Sequence, residues 1–83
     1  MLTETLIIPF AEGLHARPAS ELTKVCQKFK SKVTLEKNET KVDPKSILGI
    51  LSLGAVKGDS VNITTDGEDE QEAMKAIRVF MKA

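Results

Sequence analysis

Hydrophobic and polar residues along this 83-residue chain follow two different periods, which together predict strands and helices. Short β-branched or alternating runs predict strands, and apolar residues three or four positions apart predict helices. The predicted strands cover residues 5–8, 33–36, 40–42 and 61–65, and the predicted helices cover residues 16–29, 46–53 and about 68–81. The order β-α-β-β-α-β-α predicts an α+β domain in which helices cover one face of a mostly antiparallel sheet.

The composition limits the class of protein. A hydrophobic fraction of 41% supports one modest core, so we expect a single domain over residues 1–83. Lysine plus arginine equals aspartate plus glutamate at 12 each, so no net charge attracts nucleic acid or a membrane surface. The single cysteine, Cys26, excludes an internal disulfide, fits a reducing compartment and is expected in the core. Together with a single histidine, this leaves little basis for a zinc or copper site, and we expect no metal.

The chain predicts no membrane insertion. The N-terminal residues lack the basic and long apolar regions of a signal peptide, and no apolar stretch approaches the ~20 residues that span a bilayer. We therefore expect a cytoplasmic monomer. Nucleic-acid binding is a rival function, because four lysines follow one another closely, but no aromatic platform accompanies them. They are Lys24, Lys28, Lys30 and Lys32. Such a run is usually a solvated face, and Lys24 could also steer acidic partners.

The only histidine lies directly before a predicted helix, in the segment GLHARPAS at residues 13–20. The first N–H groups of a helix, here around Ala16 and Pro18, lack intrahelical partners and attract anions. Arg17 adds a guanidinium that can bind two phosphate oxygens, and the neutral ring of His15 offers a nitrogen nucleophile. These residues predict a site that accepts a phosphoryl group, although a lone histidine at a helix start is usually only a cap or surface residue.

Ser46 precedes a short apolar helix. Its simplest role is to cap that helix, and a phosphate there would add negative charge that a helix N-terminus tolerates. Two apolar residues of the helix suit the core, whereas three others lie on a different side, namely Ile47, Leu48 and Leu51. We call these three residues the apolar cluster. Exposed clusters of this kind mark docking surfaces, unless the small protein buries all three.

Two segments of the chain resemble one known family. Residues 13–20 are similar to the active-site signature of HPr, the histidine-containing phosphocarrier family of the bacterial phosphotransferase system. Residues 45–54 resemble the family's second signature, around its regulatory serine. The two motifs have the family's order and separation. The resemblance implies an open-faced β-sandwich, with a four-stranded antiparallel sheet covered on one face by three helices.

The resemblance also implies a function. Enzyme I, charged by phosphoenolpyruvate, would phosphorylate His15, which passes the group to the IIA domains of sugar transporters. Arg17 would contact the phosphate, and the apolar cluster would dock on both partners. The chain would then carry a group between enzymes rather than act as an enzyme alone, and it would need no cofactor.

For Ser46 the resemblance implies a switch. In many Gram-positive relatives an HPr kinase/phosphorylase modifies this serine, which weakens transfer through the histidine and recruits a catabolite-repression transcription factor. Two alternatives stay open: a purely regulatory HPr-like binding module, against which the retained His15 counts, and a phosphocarrier of a nitrogen branch. A small-ligand-binding domain of similar topology is a third, but no cluster of side chains suggests its pocket.

Glu12 departs from the family pattern, in which Ser or Asn often precedes the glycine. Pointing toward His15, its carboxylate would repel a phosphoryl group and favour the protonated ring, which lowers the fraction of free nucleophile. Pointing outward, it would have no effect.

Overall fold

A computed structural model describes residues 1–82 of the chain. Its elements follow the predicted order: β1 (Leu2–Ile7), α1 (Ala16–Gln27), β2 (Lys32–Lys37), β3 (Thr40–Val42), α2 (Ile47–Leu53), β4 (Ser60–Asp66) and α3 (Glu70–Phe80). The strands form one antiparallel sheet in the order β1-β4-β2-β3. The predicted fold class is confirmed: an open sheet of four antiparallel strands with three helices.

The inner strand β4 shows how the sheet divides into two faces. Val61, Ile63 and Thr65 are buried on the face that the helices cover, because successive side chains of a strand point to opposite sides. The other face is polar. There the hydroxyl of Thr5 on β1 donates to the Asn62 side chain at 2.7 Å. A polar outer face needs no second layer, so three helices on one side complete the fold.

Each helix contributes one buried stripe to the core. These stripes include Ala19, Leu22 and Cys26 of α1, Ile50 and Leu53 of α2, and Ala73, Met74 and Ile77 of α3. Burial raises the pKa of the Cys26 thiol to about 12, so this cysteine is a packing residue with little thiolate at neutral pH. The first helix ends at Gln27, two residues earlier than the apolar spacing predicts.

The first strand differs from its predicted bounds of 5–8. It begins at Leu2 and ends at Ile7, whereas Ile8 lies beyond the strand and is fully buried. The alternation of core-facing and outward side chains starts before the β-branched run, and Glu4 occupies one of the core-facing positions. Its carboxylate is 3.6 Å from Nε of Arg78 on α3, so the charge is paired near the rim of the core. Sequence reasoning missed this strand half because a charged residue interrupts the apolar alternation.

Asp69, directly before α3, fastens the loop that connects α1 to β2. Its carboxylate accepts hydrogen bonds from the Ser31 hydroxyl and from the backbone N–H groups of Lys30 and Ser31, the latter two at 2.9 Å. Led by the hydroxyl bond, these contacts lower the pKa of Asp69 to about 2. Negative charge in the first turn of a helix suits the helix dipole. Glu70 and Glu72 do lie in the first turn of α3, but Asp69 instead connects two distant loops.

This contact predicts an acid-sensitive contribution to stability. Because the pKa of Asp69 falls from 3.8 to about 2 on folding, its carboxylate stabilises the fold fully above pH 3.8. That contribution is lost as the pH falls through about 2. In urea unfolding measured across this window, the wild type should lose more stability than Asp69→Asn, and Ser31→Ala should lie between them. Equal losses in the wild type and Asp69→Asn would contradict the assignment.

Candidate functional site

The loop between β1 and α1 packs directly against the residues that follow α2. Gly13 has a φ of +75°, and a Cβ at this position would lie 2.3 Å from the carbonyl oxygen of Ala55. The N–H of Leu14 donates to that same oxygen at 3.0 Å, and the Leu14 side chain is buried. Only glycine permits so close an approach with this backbone conformation. Gly13 and Leu14 therefore fix the loop, and the next residue, His15, lies exposed at its end.

His15 begins α1 as its N-cap residue. Its backbone is extended, with φ −82° and ψ −171°, and its side chain makes no capping hydrogen bond. The side chain is 44% exposed. Ala16 and Arg17 follow as exposed residues of the first turn, whereas Pro18 is buried and has no N–H to satisfy. A half-exposed imidazole thus adjoins a helix N-terminus that no side chain of the described residues caps, and such an end attracts anions.

A carboxylate lies close to each of the two predicted phosphate-handling side chains. Oε2 of Glu12 is 3.8 Å from Nε2 of His15, and Oε1 of Glu21 is 3.7 Å from Nε of Arg17. The alternative in which Glu12 points away from His15 is therefore wrong. Both contacts are longer than hydrogen bonds, and the Arg17 side chain is 88% exposed. Both are weak, solvent-screened contacts, and the one at Arg17 can yield to an incoming anion.

A lysine and an aspartate hold the segment on which the His15 loop rests. Lys37, at the end of β2, donates through Nζ to the carbonyl of Gly54 at 3.0 Å and pairs with Oδ2 of Asp59 at 2.9 Å. Asp59 also accepts from the N–H of Val56 at 2.8 Å, and this bond, followed by the Lys37 bond, lowers the pKa of the carboxyl. These contacts surround Ala55, whose carbonyl oxygen accepts the hydrogen bond from the N–H of Leu14. Sequence reasoning missed Lys37 and Asp59, since no local pattern marks a pair so distant along the chain.

Ser46 caps α2 as predicted. Its hydroxyl accepts a hydrogen bond from the N–H of Gly49 at 3.3 Å, and the residue is exposed. At the other end, Gly54 ends the helix in the left-handed conformation. The cap is thus shown, whereas regulation through this serine stays a prediction.

The apolar cluster lies on the surface. Ile47 is 40% exposed, Leu48 78% and Leu51 39%. A further exposed apolar residue, Val56 at 56%, lies beside the His15 loop, because a Cβ on Gly13 would lie 2.8 Å from its Cα. A single valine in a loop carried no signal in the sequence. Docking through these residues stays a prediction.

The structure does not bring Lys24 next to His15. Lys24 is exposed in the last turn of α1, roughly 14 Å along the helix axis from the N-cap. Among residues 1–82, no group of three or more His, Cys, Asp or Glu side chains could hold a metal ion. No helix in the same residues is long and apolar enough to cross a membrane.

Comparison with known proteins relates this arrangement to one family. The family model described as PTS HPr component phosphorylation site matches residues 2–83. The phosphocarrier protein HPr of Neisseria meningitidis is 43% identical over 93% of this chain and 86% of its own length. The HPr-like protein Crh of Halalkalibacterium halodurans is 37% identical over 99% of this chain and 98% of its own length.

Comparison with solved structures points to the same family. The crystal structure of HPr-C-His from Thermoanaerobacter tengcongensis superposes with a TM-score of 0.96 at 41% identity, over 99% of this chain and 92% of that one. An HPr dimer from the same organism matches with a TM-score of 0.79 at the same identity, over 99% of this chain and 94% of that one. The fold of this chain is thus close to that of HPr structures, one of which is a dimer.

The close approach at Gly13 predicts unequal effects of two matched substitutions. Gly13→Ala and Gly54→Ala both place a Cβ at positive φ, at +75° and +66°. Each should lose about 1 kcal/mol of stability for the conformation alone. No atom lies within 4 Å of the added Cβ at Gly54, whereas Gly13 meets a backbone carbonyl. Gly13→Ala should therefore lose about 1–3 kcal/mol more in urea unfolding. Equal losses of stability in the two variants would contradict this prediction and would mean that the loop shifts away from the added Cβ at no cost in free energy.

Proposed function

This chain belongs to the HPr phosphocarrier family of the phosphotransferase system, and we propose that it carries a phosphoryl group on His15 between partner proteins. The proposal rests on one observation above all: a half-exposed imidazole lies at a helix N-terminus that lacks a side-chain cap. A phosphoryl group attached there meets N–H groups that attract anions without further rearrangement.

The transfer step needs only groups that the site provides. A neutral ring nitrogen of His15 attacks the phosphorus of a phosphorylated donor, and the new N–P bond forms as the donor bond breaks. The leaving atom of the donor keeps the electron pair. The N–H groups of Ala16 and Arg17 would bind the phosphoryl oxygens, and the Arg17 guanidinium can leave Glu21 to join them. The reverse exchange with an acceptor releases the group.

The partners that we propose are those of the family. Enzyme I is the donor and IIA domains of sugar permeases are the acceptors, with docking through the apolar cluster and Val56. All four side chains are partly exposed, and the segment that carries Val56 contacts the His15 loop. Apolar side chains beside a reactive residue suit partners that bind briefly and exchange a small group. We propose that this exchange takes place in the cytoplasm, and that Lys24 contributes only long-range attraction.

We propose a monomer as the working form. The His15 site as described is built from one chain, and both transfer partners need access to it. The T. tengcongensis HPr dimer makes the oligomeric state worth measuring, and light scattering after size-exclusion chromatography decides it.

A regulatory role through Ser46 is the second candidate. The exposure of this serine and the similarity to the HPr-like protein Crh favour it. A phosphoryl group on Ser46 would stand beside the apolar cluster, where a new anion alters docking. HPr kinase/phosphorylase and a catabolite-repression transcription factor are the partners that this candidate requires. A purely regulatory module would not need His15, and the nitrogen-branch alternative changes the donor and acceptor but not the site.

The first test is direct phosphorylation. We expect incubation with phosphoenolpyruvate and a bacterial enzyme I to add one phosphoryl group, visible by intact-mass spectrometry and removed by brief acid treatment. His15→Ala should accept none while its circular dichroism stays unchanged, because the side chain is exposed and makes no capping bond. No added mass on the wild type, with the enzyme I active on a control carrier, would contradict the proposal.

The second test separates charge at Ser46 from loss of the helix cap. Ser46→Asp should keep the stability of the wild type, because aspartate is an equally good cap. It should nevertheless accept phosphoryl from enzyme I more slowly, by about threefold or more, since it adds a charge to the docking surface. Ser46→Ala should lose about 1 kcal/mol of stability and keep its acceptance rate. If both variants show the same acceptance rate, Ser46 is only a cap.

A further inference from the structure

We propose that Glu12 is a positioning residue that biases His15 toward accepting the phosphoryl group on one particular ring nitrogen. The inference rests on the proposed function and goes beyond it, because it assigns a role to a carboxylate that departs from the family pattern. It also reverses the expectation that a glutamate pointing toward His15 only opposes transfer.

The position of Glu12 is set by the framework around it. Glu12 lies in a turn in which the N–H of Gly13 donates to the carbonyl of Phe10 at 2.9 Å. One end of the turn is anchored by the Phe10 ring against Phe80, with ring centroids 5.2 Å apart. The other end is anchored by the contact of Gly13 with Ala55. The turn therefore holds the backbone of Glu12 beside His15, and the exposed side chain reaches the ring from there.

The carboxylate of Glu12 faces one specific edge of the imidazole. Its Oε2 is 3.8 Å from Nε2 of His15, and among residues 1–82 no other carboxylate oxygen comes within 4.0 Å of a nitrogen of this ring. Neutral imidazole carries its single proton on either Nδ1 or Nε2, and the group beside the ring selects between them. A negative charge attracts an N–H and repels a lone pair. Glu12 therefore favours the proton on Nε2 and leaves the lone pair on Nδ1 as the nucleophile.

The same geometry affects the product of the transfer. When the Nδ1 lone pair attacks phosphorus, the N–P bond forms, the donor bond breaks and the donor atom keeps its electron pair. The proton stays on Nε2, so the phosphorylated ring bears a positive charge. That charge faces Glu12, whereas the phosphoryl group is attached to Nδ1, the other nitrogen of the ring. The attraction at Nε2 then offsets repulsion at the phosphoryl group, and Glu12 promotes acceptance by favouring the nucleophilic tautomer.

The first test measures the tautomer on the protein alone. In ¹⁵N spectra of the labelled chain, at a pH where the ring is neutral, Glu12→Gln should raise the ratio of the Nδ1–H to the Nε2–H form by about two- to fivefold. A screened contact between exposed groups supports an effect of that size and no more. Glu12→Asp should restore part of the wild-type ratio. Glu21→Gln removes the same charge from the carboxylate that contacts Arg17, and it should leave the ratio unchanged.

The second test measures the chemistry without a docking partner. Phosphoramidate, a small phosphoryl donor that releases ammonia, should phosphorylate Glu12→Gln about two- to fivefold more slowly than the wild type. An unchanged tautomer ratio, or faster phosphorylation of Glu12→Gln, would overturn the inference in favour of simple repulsion. Failure of the proposed function is a separate result: the wild type would then accept nothing from enzyme I, whereas the tautomer ratio would still decide the role of Glu12.

Discussion

Strand β4 is the constraint on which the rest of the structure depends. The N-terminal strand β1 and the β2–β3 hairpin do not pair with each other, and β4 joins them from a position late in the chain. The same pairing builds the site. Beyond the last β1–β4 pair, the N–H of Ile8 donates to the carbonyl of Asp59 and the N–H of Gly58 donates to the carbonyl of Ile8, both at 2.9 Å. The segment before β4 thereby lies against the loop that ends at His15.

The framework and the site differ in the strength of their contacts. Asp69 accepts three hydrogen bonds from the α1–β2 loop, and Asp59 bonds both Lys37 and Val56. These contacts fix backbone positions. At the site itself, Glu12 and Glu21 approach their partners at 3.8 and 3.7 Å on exposed side chains. Weak contacts at the site, on a backbone held by stronger ones, suit the proposed role of accepting a group and then releasing it.

The features that were predictable from the sequence are those that neighbouring residues encode. Period two and period 3.6 gave the order of elements, and the starts of α1 and α2 follow from residues within one turn of His15 and Ser46. The features that were missed join distant segments. Ser31 and Asp69 are 38 residues apart, and the need for glycine at position 13 arises from a carbonyl at Ala55. No local pattern contains such a requirement, because it exists only once the sheet has formed. The contact between Glu12 and His15 was likewise not predictable, because the direction of the Glu12 side chain depends on a loop that Ala55 holds.

The three helix starts explain why the fold alone does not define the activity. Ser46 caps α2 with its own hydroxyl, and Asp69 precedes α3 but turns its carboxylate to another loop, with Glu70 and Glu72 in the first turn. Only α1 begins with an ionisable ring in place of a capping side chain and without an acidic residue in its first turn. Negative charge at the start of α3 repels anions, and the Ser46 hydroxyl already binds an N–H at the start of α2. Only the N–H groups at the start of α1 are left free of both effects. On the proposed function, one fold could serve as a carrier through His15 and as a regulator through Ser46, and the residues at these two helix starts would decide between the two activities.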